Sequence, residues 1–258
     1  MFSLRSFFAA AFTLAFCAAC ASTYVPPGRG AKLQEIAPQA STDASIQAIL
    51  ERKPAAGWPA TVALVRVQEQ GYRSYSWEPK SSGGKWTVVG VREAEKPEHL
   101  ARLRALPDVR DVALASSLLV PEQIGSDTEL RAAAARMQAD LLLLYTFDTT
   151  FHERDDAPIL TLVTLGIAPT RVSKVAATAQ CVLLDVRSGY FYGSAEATER
   201  RELRQSTLGK EEDFESQRIT AEELAFEKLL AAFETTWPAI VAQHAGTAPA
   251  AVPAASGR

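Results

Sequence analysis

The mature form of this sequence lacks the means to close an internal disulfide. Only three cysteines occur in 258 residues, and two of them, Cys17 and Cys20, lie at the end of an apolar N-terminal segment. If Cys17 leaves with that segment and Cys20 is modified, Cys181 stands alone. Cys181 sits within VAATAQCVLLDV beside no cationic residue, so it reads as a small buried hydrophobe and not as a reactive thiol. An excess of positive charge is missing too. With 27 Lys and Arg against 30 Asp and Glu, the chain offers no cationic footprint for a phosphate backbone, and nucleic acid is excluded as a partner. The three histidines, His99, His152 and His244, are far apart, and none stands in HExxH or at zinc-ligand spacing. No metal and no cofactor is therefore expected. There is no G-x-S-x-G elbow, P-loop or G-x-G-x-x-G, and Gly83-Gly84 before Lys85 and Trp86 is a turn. The densest polar cluster, His152 to Asp156, reads as a solvated loop at the wet end of a strand. The chain is expected not to be an enzyme. The rival reading is a periplasmic hydrolase whose site is assembled from scattered residues, with His152, Asp148 or Glu153 facing a pocket.

What is present begins with a secretory signal. Arg5 precedes Phe7 to Ala19, apolar except for Thr13, and this run falls short of the about 20 residues a spanning helix needs. Cys17-Ala18-Ala19-Cys20 resembles the lipobox of bacterial lipoproteins, which implies a signal peptide over 1–19 and lipid attachment at Cys20. Cys17 stands where that family usually has Leu, so cleavage by signal peptidase I after Ala21 is the alternative. Residue Ala21 is not Asp, and by the same resemblance the destination is the periplasmic face of the outer membrane. Cleavage after Ala21 would give a soluble periplasmic protein instead.

Residues 20–42, with Pro26-Pro27-Gly28 and Gly30, read as a flexible tether. Residues 43–244 read as a single α/β domain, and 245–258 as a disordered tail with nothing to bury. The expected fold is a mixed sheet of about five strands with a closing antiparallel hairpin, helices packed on it and a long C-terminal helix. Its centre is Leu141 to Phe151 followed by Val175 to Val186. Leu141 to Leu144 are apolar on both faces, after which alternation sets in, with Tyr145, Phe147, Thr149 and Phe151 on one side. Arg187-Ser188-Gly189 is the turn to the next strand. Earlier strands are expected at Ala60 to Gln68, Lys85 to Arg92 and Val109 to Val120, the last on the far side of the sheet. The second of these pairs with the first or with Tyr72 to Trp77. A short helix capped by Ser41, Thr42 or Asp43 is ended by Pro54, another covers 97–106, and a capping box at Ser126 and Glu129 opens a third over 127–138. The charged stretch 200–213 reads as a solvated loop or a frayed helix start. From Phe214 a helix buries Phe226, Leu229, Leu230, Phe233, Trp237, Ile240 and Val241, with Pro238 expected to kink or divide it.

Between the two central strands lies an apolar insertion, Pro158 to Pro169. Its uncharged residues Ile159, Leu160, Leu162, Val163, Leu165 and Ile167 are the candidate contact with a membrane or a partner. Folding back beneath the protein's own helices is the plainer alternative. The order ATVALVRVQ, then ADLLLLYTFDTTF, then LLDVRSGYFYGSAEAT, behind a lipoprotein signal, resembles the periplasmic α/β lipoproteins of the CsgG and LpoB type, and also the rhombotarget-type lipoproteins. That resemblance implies a non-enzymatic interaction or envelope-assembly module whose partner is an envelope protein or the chain itself, with the lipid bilayer met through the anchor. It transfers no site residue beyond Cys20. A homo-oligomeric secretion or assembly scaffold is a further alternative, although the paired amphipathic hairpins of a pore are missing.

Overall fold

The computed structural model describes residues 29–32, 42–74, 76–79, 83–115, 119–155, 171–205 and 211–246. Its hub is β1 (Ala60–Glu69), whose run ATVALVRVQE is buried on both faces from Val62 to Gln68. Such a strand needs neighbours on both edges and cover on both faces. On one edge it pairs in parallel with β5 (Leu141–Asp155), from Val62↔Leu141 to Arg66↔Tyr145. Two strands share the other edge. β2 (Trp86–Val88) runs antiparallel to the last residues of β1, and β3 (Val109–Leu114) runs parallel to its first half. The two-residue β4 (Gln123–Ile124) extends the sheet beyond β2. On the far side of β5 lie β6 (Arg171–Asp185) and β7 (Phe191–Gln205), both antiparallel. The order is β4-β2-β1-β5-β6-β7, with β3 beside β1.

This is the mixed α/β sheet read from the sequence, with seven strands in place of about five. Several boundaries are corrected. The strand expected to end at Val120 stops at Leu114, and it lies against the hub, not on the far side. Of Lys85 to Arg92 only Trp86–Val88 is strand, and it pairs with β1, while Ser74 and Trp77 bridge each other. Residues 200–205, read as loop, continue β7. Their charges look loop-like because an edge strand with one open face is the place where a sheet tolerates charge.

Helices cover the two faces unequally. α1 (Asp43–Leu50) begins at Thr42, whose side chain accepts from Ser45 N, and buries none of its residues. α2 (Pro97–Arg104) and the 34-residue α4 (Glu211–His244) pack on one face against Val62, Leu64, Leu141, Leu143, Tyr145 and Phe147. Small residues on β6, Ala177, Ala179 and Cys181, let α4 approach closely, and Phe226, Leu229, Leu230, Phe233 and Trp237 fill the space. α4 runs unbroken through Pro238. The indole of the preceding Trp237 donates to Pro107 O at 2.7 Å. α3 (Asp127–Arg136) opens with the expected cap, Glu129 N donating to Ser126 Oγ, and its Leu130, Ala133 and Ala134 cover the other face at Ala63, Val65, Leu142 and Leu144. That cover ends near Val182 and Leu184.

Candidate functional site

Beyond Tyr145 the strand β5 leaves β1 and continues with β6 and β7 as a three-stranded ribbon. Each of the three strands is 15 residues long, or roughly 50 Å. Cross-strand rows define its faces. Tyr145–Cys181–Ala195, Phe147–Ala179–Ala197 and Thr149–Ala177–Glu199 lie under α4. Thr146–Gln180–Glu196, Asp148–Thr178–Thr198 and Thr150–Ala176–Arg200 lie on the opposite face. There Asp148, Thr150, Glu196, Thr198 and Arg200 are exposed, and no described helix covers them. Thr178 and Thr198 bond each other at 2.9 Å, and Lys174 pairs with Glu202. β7 ends the sheet, so among the described residues no strand meets its outer edge.

The covered face hides a seam of charge. Arg218 of α4, with none of its side chain exposed, donates through Nε and Nη2 to Glu215, through Nη1 to Glu222 at 2.7 Å and through Nη2 to Glu93. Arg66 of β1 donates to Tyr72 Oη at 3.2 Å and to Glu222 at 3.4 Å, and its Nη1 lies 3.9 Å from Glu95. Tyr145 donates to Glu95 at 2.9 Å, and Thr149 donates to the other oxygen of Glu222 at 2.9 Å. The guanidinium of Arg66 lies 4.8 Å from the ring centre of Phe147 and 5.6 Å from that of Tyr72. Burial opposes the charge on both arginines, but Tyr72, Glu222 and Glu95 around Arg66, and Glu215 and Glu222 beside Arg218, hold each cation above its ordinary range. Burial also raises Tyr72 and drives Tyr145 well up, so both phenols keep their protons and Tyr145 stays a donor to Glu95. Two guanidiniums and four carboxylates thus link β1, α4 and the segment carrying Glu93 and Glu95. Arg66, Glu95, Arg218 and Glu222 are each less than a tenth exposed. The seam joins α4 to the sheet.

The opposite end of the ribbon is held by two aspartates. Asp185 accepts from Ala55 N, from Arg187 N and Ser188 N, and from Tyr192 Oη at 2.9 Å. Asp140 accepts from Thr61 N and from Arg187 Nη1. Both carboxylates are used in building the turn, where Gly189 takes φ +68° and a Cβ would come within 2.8 Å of Arg52 Nη1. Burial raises the Tyr192 phenol, and the neighbouring Asp185 adds to that.

A cavity of about 650 Å³ lies at the fork where β2 and β3 part on the edge of β1, lined by Trp77, Val88, Val91, Arg92, Leu114 and Glu122 among others. Ser76 and Glu78 line it as well. A second cavity, of about 300 Å³, lies between Ala31, Lys32, Glu69, Lys85 and Trp86. Neither cavity includes His152 or Asp148. His152 is exposed opposite Lys174, and Asp148 is exposed opposite Thr178. No three His, Cys, Asp or Glu gather in metal-binding geometry among the described residues. Cys181 is buried, and burial pushes its thiol up to about 12. Cys20 and the insertion residues Ile159, Leu160, Leu162, Val163, Leu165 and Ile167 lie outside the described residues. The strands flanking the insertion pair as far as Asp155↔Arg171. No helix among the described residues is long and apolar enough to cross a membrane.

Sequence reasoning missed the seam, whose members lie at positions 66, 93, 95, 215, 218 and 222. One signal was present. Arg66 interrupts an otherwise apolar strand, and Glu215, Arg218 and Glu222 recur at helical spacing. Also missed was the docking of part of the presumed tether. Ala31 is 4% exposed, Gly30 bridges Gln68, and Ala31 N donates to Thr146 Oγ1 at 2.8 Å.

No family model matches the chain, and neither does any curated protein sequence. Among solved structures, a PelC variant from Paraburkholderia phytofirmans, described as a dodecamer, aligns at 14% identity with a TM-score of 0.30, over 68% of this chain and 92% of that one. A Xanthomonas campestris protein assigned to DUF330 aligns at 13% identity and 0.26, over 75% of this chain and 91% of the other. At such values neither neighbour transfers a function. The resemblance to CsgG-, LpoB- or rhombotarget-type lipoproteins has no family match behind it.

Proposed function

We propose that the chain is a lipid-anchored lipoprotein of the outer membrane's periplasmic face, and that it is a non-enzymatic module binding another envelope protein, or a second copy of itself, by strand addition at β7. One observation carries this reading. The β5–β6–β7 ribbon runs far beyond the hub and, among the described residues, ends in a long, unpaired outer edge beside an uncovered polar face. Extended edges of that kind accept a partner's backbone, while alternate side chains choose the partner. Glu196, Arg200, Arg201 and Glu202 along β7 suppress indiscriminate pairing and favour a strand of complementary charge. The seam supports the non-enzymatic half of the reading, since Glu215 and Glu222 are buried and accept from Arg218, and Glu95 is buried beside Arg66 and Tyr145. The lipobox-like Cys17 to Cys20 supports the anchor.

The test is site-specific photo-crosslinking in cells of the native envelope. A photoreactive residue at Glu196 or Arg200 is expected to give one discrete adduct, identified by mass spectrometry, while the same residue at exposed Leu50 gives none. Adducts from Leu50 with β7 silent would overturn the edge reading. The mass of the mature N-terminus, compared with Cys20→Ser, tests the anchor separately.

A further inference from the structure

Residues 29–32 occupy an unusual place. β1 and β5 stop pairing at Arg66↔Tyr145, and two substitutes fill the gap above that point. The first is the side chain of Gln68, whose Nε2 donates to Phe147 O at 3.1 Å and whose Oε1 accepts from Phe147 N at 3.0 Å and from Thr146 Oγ1 at 2.6 Å. The second is the Arg29–Lys32 segment. Glu69 N donates to Arg29 O, Gly30 bridges Gln68 in the antiparallel sense, and Ala31 N donates to Thr146 Oγ1. Only glycine fits at position 30, because a Cβ there would come within 2.9 Å of the backbone oxygen of Phe147.

The dock is specific but small. The hydrogen bonds above and the buried methyl of Ala31 hold it, and the 300 Å³ cavity adjoins Ala31 and Lys32. Two of the groups it would abandon have other recourse. Thr146 keeps Gln68, and Glu69 lies at the exposed end of β1. The segment also sits between the proposed lipid at Cys20 and helix α1.

We propose that Arg29–Lys32 is a releasable strap that sets how far the domain stands from its membrane. This rests on the anchor reading above. Docked, nine residues from Cys20 to Arg29 let the dock stand at most about 30 Å from the lipid. Released, twenty-three residues from Cys20 to Asp43 extend that limit to about 80 Å. The strap therefore holds the β1–β5 junction near the bilayer, and its release gives the β7 edge access to partners deeper in the periplasm.

The experiment uses the full lipidated chain in phosphatidylethanolamine–phosphatidylglycerol vesicles. Between Cys20 and Arg52 the tryptic sites are Arg29 and Lys32, both within the strap. Native-state trypsin therefore frees the domain from vesicles only as fast as the strap opens. Gly30→Val, which cannot dock, is expected to release the domain at least tenfold faster than wild type. It should also lower energy transfer from a dye on Ser194→Cys to acceptor lipid. Equal release rates and equal transfer would overturn the strap. If Gly30→Val fails to fold, Ala31→Pro removes the donor to Thr146 without adding bulk beside Phe147, and the same two outcomes apply. Failure of the wild-type chain to float with vesicles would overturn the anchor and the reach together. Slow trimming at Arg29 of that soluble chain would show the dock to be real, and fast trimming would overturn it as well.

Discussion

The lower and upper halves of β5 belong to one strand but are held by different physics. Leu141 to Leu144 are apolar on both faces, with β1 and β6 on the edges, α4 on one side and α3 on the other. From Asp148 upward one face meets water and the other meets the charged seam through Thr149 and Glu222. The lower half is fixed by close packing, which tolerates no charge. The upper half is fixed by paired charge, which demands every partner. A strand passing from one regime to the other places the ribbon firmly while leaving one face open.

The sharpest way to break this contrast is at Arg218. Arg218→Met leaves Glu93 and Glu215 without their cation and Glu222 with Arg66 alone, and should cost about 3–5 kcal/mol in urea unfolding. A loss under about 1 kcal/mol would mean that the seam contributes little and that packing alone seats α4. The matching test in the lower half is Leu143→Ala. Truncating this residue, buried in the α4-facing core, should cost about 2–4 kcal/mol without changing the pH profile. On the open face, Thr178→Val removes the bond to Thr198 yet should move stability by no more than about 0.5 kcal/mol. A larger loss in the purified chain would reveal a cover that the isolated fold lacks.

Acid gives a gentler probe. His99 Nδ1 accepts from Lys96 N at 3.1 Å at the start of α2, and burial lowers its pKa, as burial does for His244. Neutral imidazole is thus favoured in the fold. The unfolded chain takes up protons first as pH falls past about 6.5, so stability is full above that pH and declines below it. His99→Gln, which keeps an acceptor near Lys96 N, should flatten that slope, with His244 supplying what is left. An unchanged slope would rule His99 out as its source.

The central hairpin was legible because its pattern is local: four leucines, then strict alternation, then a turn closed by a glycine that adopts positive φ. The capping box of α3 was equally direct, since Ser126 and Glu129 act on neighbouring backbone. What escaped reading depends on pairs distant in the chain. Arg200 to Gln205 look solvated in a list of residues and become strand only when β6 supplies a partner. The seam needs β1 and α4 together. Gln68 reads as the polar end of a strand until Phe147 stands beside it. The candidate contact at Pro158 to Pro169 was picked from composition alone, which names an apolar segment without saying what it meets.

The hub also imposes an order in time. Joining β1 to β5 in parallel closes a span of 79 residues, as between Thr61 and Asp140, whereas β5, β6 and β7 follow one another as a meander. Contacts near in sequence form before those that need a long loop closed. The ribbon with its bare edge is therefore the part of this protein expected to exist first, and the newborn chain carries that edge before it has a hub to anchor it.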